Sequence, residues 1–308
     1  MQTQSKKNIS YKASMINNLE DRENIQSISR KIYDKYCSLS GFLHVLPDFY
    51  LLGAQKSGTT ALFDYLTKHP NIPKTIKDIR FYDKYFHKGV NWYKQHFPLK
   101  SSKSFATTFN RKTMLVGEAT ERYLEYPFAP KRIKSVTPNA KFLIILRNPI
   151  DRTYSHYNYN VIRNKENRTF EEAIFEEWKK TKNEFLKMQN DPHYYSDHYF
   201  RYAYLDRSIY VDKIKQWFSV FPKEQFFIIE NNELARNTSK VFDNIIRFLN
   251  LSPWKLGEFK KILVSKYKQP KIDQNTKNKL YKFFKPHNDE LYDLLNVKYD
   301  WEQKSDHQ

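Results

Sequence analysis

The stretch DFYLLGAQKSGTTALFDYLTKHP, Asp48 to Pro70, decides the reading of the whole chain. Its first part is a short apolar run, Phe49 to Leu52, that stops at Gly53, as a buried strand does. Beyond the glycine-containing turn, Leu62, Tyr65 and Leu66 fall at the i, i+3, i+4 spacing of one helix face. Thr59 or Thr60 is expected to cap that helix, and His69-Pro70 to end it. The turn GAQKSGTT, Gly53 to Thr60, therefore sits at a helix N-terminus, where unpaired amides and the positive dipole end attract anions. Gly58 lets the backbone approach such an anion, Lys56 brings a mobile positive charge, and the threonine hydroxyls donate hydrogen bonds. An ordinary βα turn with a capping threonine would need no lysine inside it, so a phosphate site is the better reading.

The same texture recurs downstream. The runs TMLVGEA (113–119), KFLIILR (141–147) and EQFFIIE (224–230) are near-continuous in apolar residues rather than alternating. Strands buried on both faces look like that, and such strands are usually parallel. Helical stretches separate them: one opening at Pro149, then 169–189, 208–221, 237–250 and 275–296. Alternation of strands and helices predicts a three-layer α/β fold with a central parallel sheet flanked by helices.

The turn is not the common nucleotide loop. In G-x-x-x-x-G-K-[ST] the lysine follows the second glycine. Here Lys56 stands two residues before Gly58, and Thr59 follows that glycine. With no evident partner set for magnesium, a kinase-like phosphotransferase is disfavoured. A second segment, FLIILRNPIDRTYSHY (142–157), places Arg147 at a strand end, Pro149 at a helix start and Ser155 two turns into the helix. A strand-end arginine fork and a helix serine can grip one further phosphate. The two segments together are far more specific than either alone.

This pair resembles the sulfotransferases that use 3′-phosphoadenosine 5′-phosphosulfate (PAPS). GAQKSGTTAL is similar to the family's 5′-phosphosulfate loop, and LRNPIDRTYSHY to its 3′-phosphate segment. KDIRFYDKYFHKGVNWYKQHFP (77–98) and GEATERYLEYPFAP (117–130) resemble further family segments of the heparan sulfate sulfotransferase branch, which includes many bacterial relatives. The likeness runs from about Leu46 to Trp301. It implies a P-loop-like fold, PAPS as donor and no metal. It places Gln55, Lys56, Ser57, Gly58, Thr59 and Thr60 on the 5′ side, and Arg147 and Ser155 on the 3′-phosphate. Lys56 would neutralise charge on the leaving oxygen. Asp78 stands where the branch has its glutamate base, one methylene shorter, with Glu118, His87 and His96 as alternatives. Lys266 and Lys271, in SKYKQPKI (265–272), lie where relatives place a loop over the nucleotide. Three departures set the chain apart from the heparan-type enzymes. Ala119 replaces a lysine, the single cysteine cannot close their disulfide loop, and no membrane anchor is visible. The likeness is therefore to a soluble bacterial-type relative.

Composition agrees. The 308 residues carry 53 Lys and Arg against 34 Asp and Glu, a net charge of +19 that attracts polyanions without naming them. A nucleic-acid-binding protein is the alternative that this charge suggests, but no recognisable DNA or RNA module accompanies it. Hydrophobic residues make up 40% and aromatics 17%, enough for a large core. Cys37 stands alone, which suits a reducing compartment, and the nine histidines show no metal-ligand spacing. No window reaches the ~18 apolar residues of a membrane span, and MQTQSKKNIS is no signal peptide. The expectation is a cytoplasmic protein with a polar helical extension at 1–45, a sulfotransferase domain at 46–301 and a tail at 302–308. Residues 160–207, rich in Tyr, His and Arg, are expected to cap the acceptor side. A glycan or a small secondary metabolite is the expected acceptor, through a hydroxyl or an amine.

Overall fold

The computed structural model describes residues 39–108, 113–255, 257 and 272–301. Most of the N-terminal extension, the tail, Cys37, Lys266 and Lys271 lie outside the described residues. In chain order the elements are β1 (Phe49–Gly53), α1 (Thr59–Leu66), α2 (Gly89–Lys94), α3 (Lys100–Thr108), β2 (Gly117–Ala119), α4 (Ala129–Val136), β3 (Lys141–Leu146) and α5 (Pro149–Ile162). There follow α6 (Phe170–Asn190), α7 (Asp197–Tyr202), α8 (Tyr210–Phe218), β4 (Phe226–Glu230), α9 (Asn231–Arg236), α10 (Thr238–Phe248) and α11 (Gln274–Leu295). All four apolar runs form strands, and every strand pair is parallel, in the order β2-β1-β3-β4.

The apolar runs are continuous because each strand serves two cores. Phe49 and Leu51 of β1, with Leu143 and Ile145 of β3, pack under α1 and α10. Their neighbours Tyr50 and Leu52, with Phe142, Ile144 and Leu146, pack into a larger cluster with α4, α8 and α11. Alternate side chains of β1 and β3 thus enter opposite layers, and both faces of these strands are covered. In the larger layer Phe142 lies 5.3, 4.6 and 4.8 Å from the rings of Trp217, Phe221 and Phe226. Each such fully buried ring contributes about 1.5–3 kcal/mol through loss of apolar surface to water.

Residues 160–207 are built into this core. Ala173, Ile174 and Met188 of α6 and Tyr199 and Phe200 of α7 belong to the main cluster. The helix starts follow their sequences. Asn148 accepts from Ile150 N at 2.9 Å with Pro149 in the first turn, and Thr169 and Glu172 form a reciprocal capping box. The start of α1 differs from expectation. Its N-cap is Gly58, at φ 97°, and Thr59 and Thr60 already lie inside the helix. A glycine serves there because the chain turns through the left-handed region to enter the helix.

The topology also locates a crevice. From β1 the chain passes to β2 on one side, then crosses back to β3 on the other. In open parallel sheets ligands bind outside the strands' C-terminal ends at such a reversal. Gly53 ends β1 and Arg147 follows the end of β3 on that side.

Beside that edge, Glu118 of β2 is wholly buried. It accepts from Tyr123 Oη at 2.7 Å and Thr120 Oγ1 at 2.8 Å, and from Tyr93 Oη. Burial pushes its carboxyl up from 4.5 to about 7. A folded-state pKa above the unfolded one adds stability that is complete below the unfolded value and disappears as pH rises through the folded one. Glu118→Gln should therefore flatten the loss of stability between pH 4.5 and about 7, by up to about 3 kcal/mol. Urea unfolding at pH 5, 6, 7 and 8 measures it.

Candidate active site

Three peptide carbonyls of the loop after β1 are held from outside. Arg152 Nε donates to Gln55 O at 3.1 Å, Arg147 Nη1 to Lys56 O at 3.0 Å, and Asn231 Nδ2 to Ser57 O at 2.7 Å. These donors come from α5, the end of β3 and the start of α9. Because a trans peptide points its N–H opposite to its C=O, the same bonds turn the amides of Lys56 and Gly58 inward. Ser57 N closes the turn on Ala54 O at 3.2 Å. Lys56 itself sits at φ 69°, a left-handed conformation that costs a non-glycine residue roughly 1–2 kcal/mol. The Gln55 side chain is gripped too, its Oε1 accepting from Arg207 Nη1 at 2.6 Å.

The hollow so formed is cationic. Lys56 Nζ lies 4.4 Å from the ring centre of Tyr159, whose ring also carries Arg163 at 4.2 Å. Burial lowers the Lys56 pKa, with Arg147, Arg152 and Arg163 adding repulsion, while Glu121 holds it up. An incoming anion would relieve that repulsion. The Ser57 hydroxyl is buried and has no hydrogen-bond partner among the described residues. Ser155 lies half-buried on α5, one turn before Tyr159 and on the same helix face. The structure thus brings Gln55 through Thr60 together with Arg147, and sets Ser155 on the helix that follows.

On the other side of Thr59 and Thr60 is a small pocket that Lys77, Asp78 and Glu121 also line. Asp78 is fastened by its backbone, its N–H donating to Ala119 O at 2.9 Å. Its carboxylate stays accessible. Partial loss of surrounding water raises its pKa, against the pull of Arg122, Lys77 and Arg80. Glu121 accepts from Thr59 Oγ1 at 3.4 Å. Next to this pocket Arg122 donates to Tyr195 Oη at 2.5 Å, and the Arg80 guanidinium stacks 5.0 Å from the same ring. Tyr195, from the 160–207 segment, therefore packs against both arginines.

The alternative bases fare differently. Glu118 is enclosed by its tyrosines, with no surface exposed. His96 is engaged with Tyr93 O at 3.0 Å and packs on Trp92. His87 is exposed and lies edge-on to Tyr85. Sequence reasoning missed Glu121, Arg152, Arg207 and Asn231. Glu121 stands two residues past the end of β2. The strand-end rule that singles out Arg147 would have found it. Asn231, directly after the end of β4, falls under the same rule, whereas Arg207 carries no local signal for its grip on Gln55, 152 residues away. Among the described residues no group of three or more His, Cys, Asp or Glu could hold a metal ion.

The chain as a whole is similar to known proteins. The profile of the family described as "Sulfotransferase domain" matches residues 46–285. A membrane-associated sulfotransferase, kil1, of Dictyostelium discoideum is 26% identical over 91% of this chain and 72% of its own length. The human bifunctional heparan sulfate N-deacetylase/N-sulfotransferase 3 is 29% identical over 82% of this chain, which spans only 30% of that protein. Heparan sulfate glucosamine 3-O-sulfotransferase 5 of Mus musculus is 27% identical over 85% of this chain and 76% of its own. Among solved structures, a sulfotransferase from Alicyclobacillus acidocaldarius superposes with a TM-score of 0.62 at 26% identity, covering 84% of this chain and all of that one. Among the described residues no helix is long and apolar enough to cross a membrane.

Proposed function

Because the chain belongs to the sulfotransferase domain family, we propose that it moves a sulfuryl group from PAPS to a hydroxyl or amine of a glycan or small metabolite. The observation that carries this is the loop of Gln55–Ser57, whose three carbonyls are tied outward while a lysine and three arginines converge on it. PAPS would supply an activated sulfuryl group on a phosphate already well disposed to leave. The residues present fit it: the α1 N-terminus, Ser57 Oγ and the amides of Lys56 and Gly58 suit its 5′ side, and Arg147 with Ser155 its 3′-phosphate.

In this reading Lys56 neutralises the oxygen that gains charge as the S–O bond breaks. Thr59 and Thr60 hold the phosphosulfate against the helix end. Asp78, across the small pocket, removes the acceptor's proton. The 46–301 segment is the catalytic unit, and Tyr195, Arg80 and Arg122 form its acceptor wall. Lys266 and Lys271 are proposed as further phosphate contacts. The single cysteine favours a reducing, cytoplasmic setting, although one relative is named membrane-associated. Cell fractionation decides that point.

Calorimetry with adenosine 3′,5′-bisphosphate tests the function. Binding with 1:1 stoichiometry is the expected result. A folded protein that ignores this nucleotide but is retained on DNA in a salt-sensitive way would be a nucleic-acid binder instead. Arg147→Ala is expected to weaken nucleotide binding about 10–100-fold, while kcat at saturating donor falls less than fivefold, roughly 1 kcal/mol. Acceptor screening with labelled PAPS identifies the substrate.

A further inference from the structure

We propose that Glu121 forms a carboxylate pair with Asp78, and that this pair, rather than Asp78 alone, takes the acceptor's proton. The proposal rests on the sulfotransferase reading above.

Position comes first. Glu121 and Asp78 line the same small pocket, against Thr59 and Thr60 at the start of α1. That is the end of the loop where the sulfuryl group would lie. Asp78 hangs from the end of β2 through its N–H, and Glu121 follows the same strand by two residues. Both carboxylates are therefore referenced to one rigid edge. The side chains differ in length, so the pair covers acceptor positions that an aspartate alone would not reach.

A purely structural role leaves the chemistry of Glu121 unexplained. Its hydrogen bonds run to loop side chains, Thr59 at 3.4 Å and Gln55. The arginine nearest in role, Arg207, spends its fork elsewhere. It reaches Glu125 Oε2 at 3.2 Å, Gln55 Oε1 at 2.6 Å and Phe200 O at 2.7 Å. Glu125 is the partner carboxylate of that buried ion pair. Glu121 instead faces Arg207, Arg122 and Lys56 as charges and Asp78 as a like charge. Asp78 in turn faces Arg122, Lys77 and Arg80. Two carboxylates in one pocket do not both ionise freely, and burial raises each. A proton shared between them would leave one oxygen free to take the acceptor's proton.

The step balances. The acceptor's O–H or N–H proton moves to a carboxylate oxygen of the pair as the acceptor's lone pair forms its bond to sulfur. The bond from sulfur to the phosphate oxygen breaks, and its electrons stay on that oxygen beside Lys56.

The experiment compares wild type, Glu121→Gln, Asp78→Asn and the double variant, each first shown by circular dichroism to be folded. Proton uptake on binding adenosine 3′,5′-bisphosphate is measured by calorimetry in buffers of different ionisation heat. The pH dependence of kcat is measured in parallel. Wild type should take up a fraction of a proton at pH 7, because an added anion raises the pair's affinity for it. Glu121→Gln should abolish most of that uptake, shift the acidic limb of the profile and lower kcat about 100-fold. The double variant should be within about threefold of the worse single one, since the pair acts as a unit. Wild-type uptake and an unmoved acidic limb in Glu121→Gln would reduce Glu121 to a brace for Thr59 and Gln55, and would overturn the pair. Failure of wild type to bind the nucleotide at all would overturn the sulfotransferase reading with it.

Discussion

Lys56→Ala is expected to lower kcat about 10²–10³-fold while adenosine 3′,5′-bisphosphate still binds within about fivefold of wild type. The asymmetry follows from where charge appears. In the proposed reading, bound nucleotide also has the loop amides, Arg147 and the α1 dipole, so losing one cation among several should cost little in the ground state. The bridging oxygen gains its charge only as the bond to sulfur breaks. An ammonium lifted from water, resting over Tyr159 at 4.4 Å, then acts in surroundings of low polarity. Lys56→Arg should not rescue turnover, because a planar fork does not replace a compact point charge in a left-handed turn. Single-turnover kinetics with calorimetric affinities separate the two quantities. Loss of nucleotide affinity in step with kcat would assign Lys56 to binding instead.

Arg207→Leu is expected to destabilise the fold by about 3–5 kcal/mol. Arg207 and Glu125 form an ion pair at 3.2 Å with side chains 0% and 1% exposed. Glu125 Oε1 has no hydrogen-bond partner among the described residues. Removing the guanidinium strands a buried carboxylate without its partner. Replacing both residues by leucine should recover much of the loss, since the lone charge, rather than the missing pair, is what costs. Urea unfolding of the two variants checks this. Equal stability of the single and double variants would contradict it. The single variant also frees Gln55 Oε1, so nucleotide affinity should fall even where the protein remains folded.

The parallel sheet was legible because burial on both faces leaves a plain mark, unbroken apolar runs such as Phe142 to Leu146. The loop was legible because glycine, lysine and threonine lie within a few residues and act through local geometry. Arg147 was legible for the same reason, sitting where a strand stops. Two kinds of information were not local. Gly58 as the cap of α1 depends on a backbone angle that sequence patterns prefer to assign to threonine. The grips of Arg207 on Gln55 and of Asn231 on Ser57 bridge 152 and 174 residues, and no periodicity carries such a pairing. Glu121 falls between these cases. Its strand-end position was visible, but its pocket came into being only when Asp78 folded back onto Ala119.

The tethering of three successive carbonyls by Arg152, Arg147 and Asn231 has a kinetic meaning. A loop shaped by folding has no search left to perform when a ligand arrives, so encounter rather than rearrangement should limit association. The stiffness is borrowed from α5, β3 and α9 together. A substitution that loosens α9, which acts on the donor only through Ser57, would then surface as slower capture of that donor.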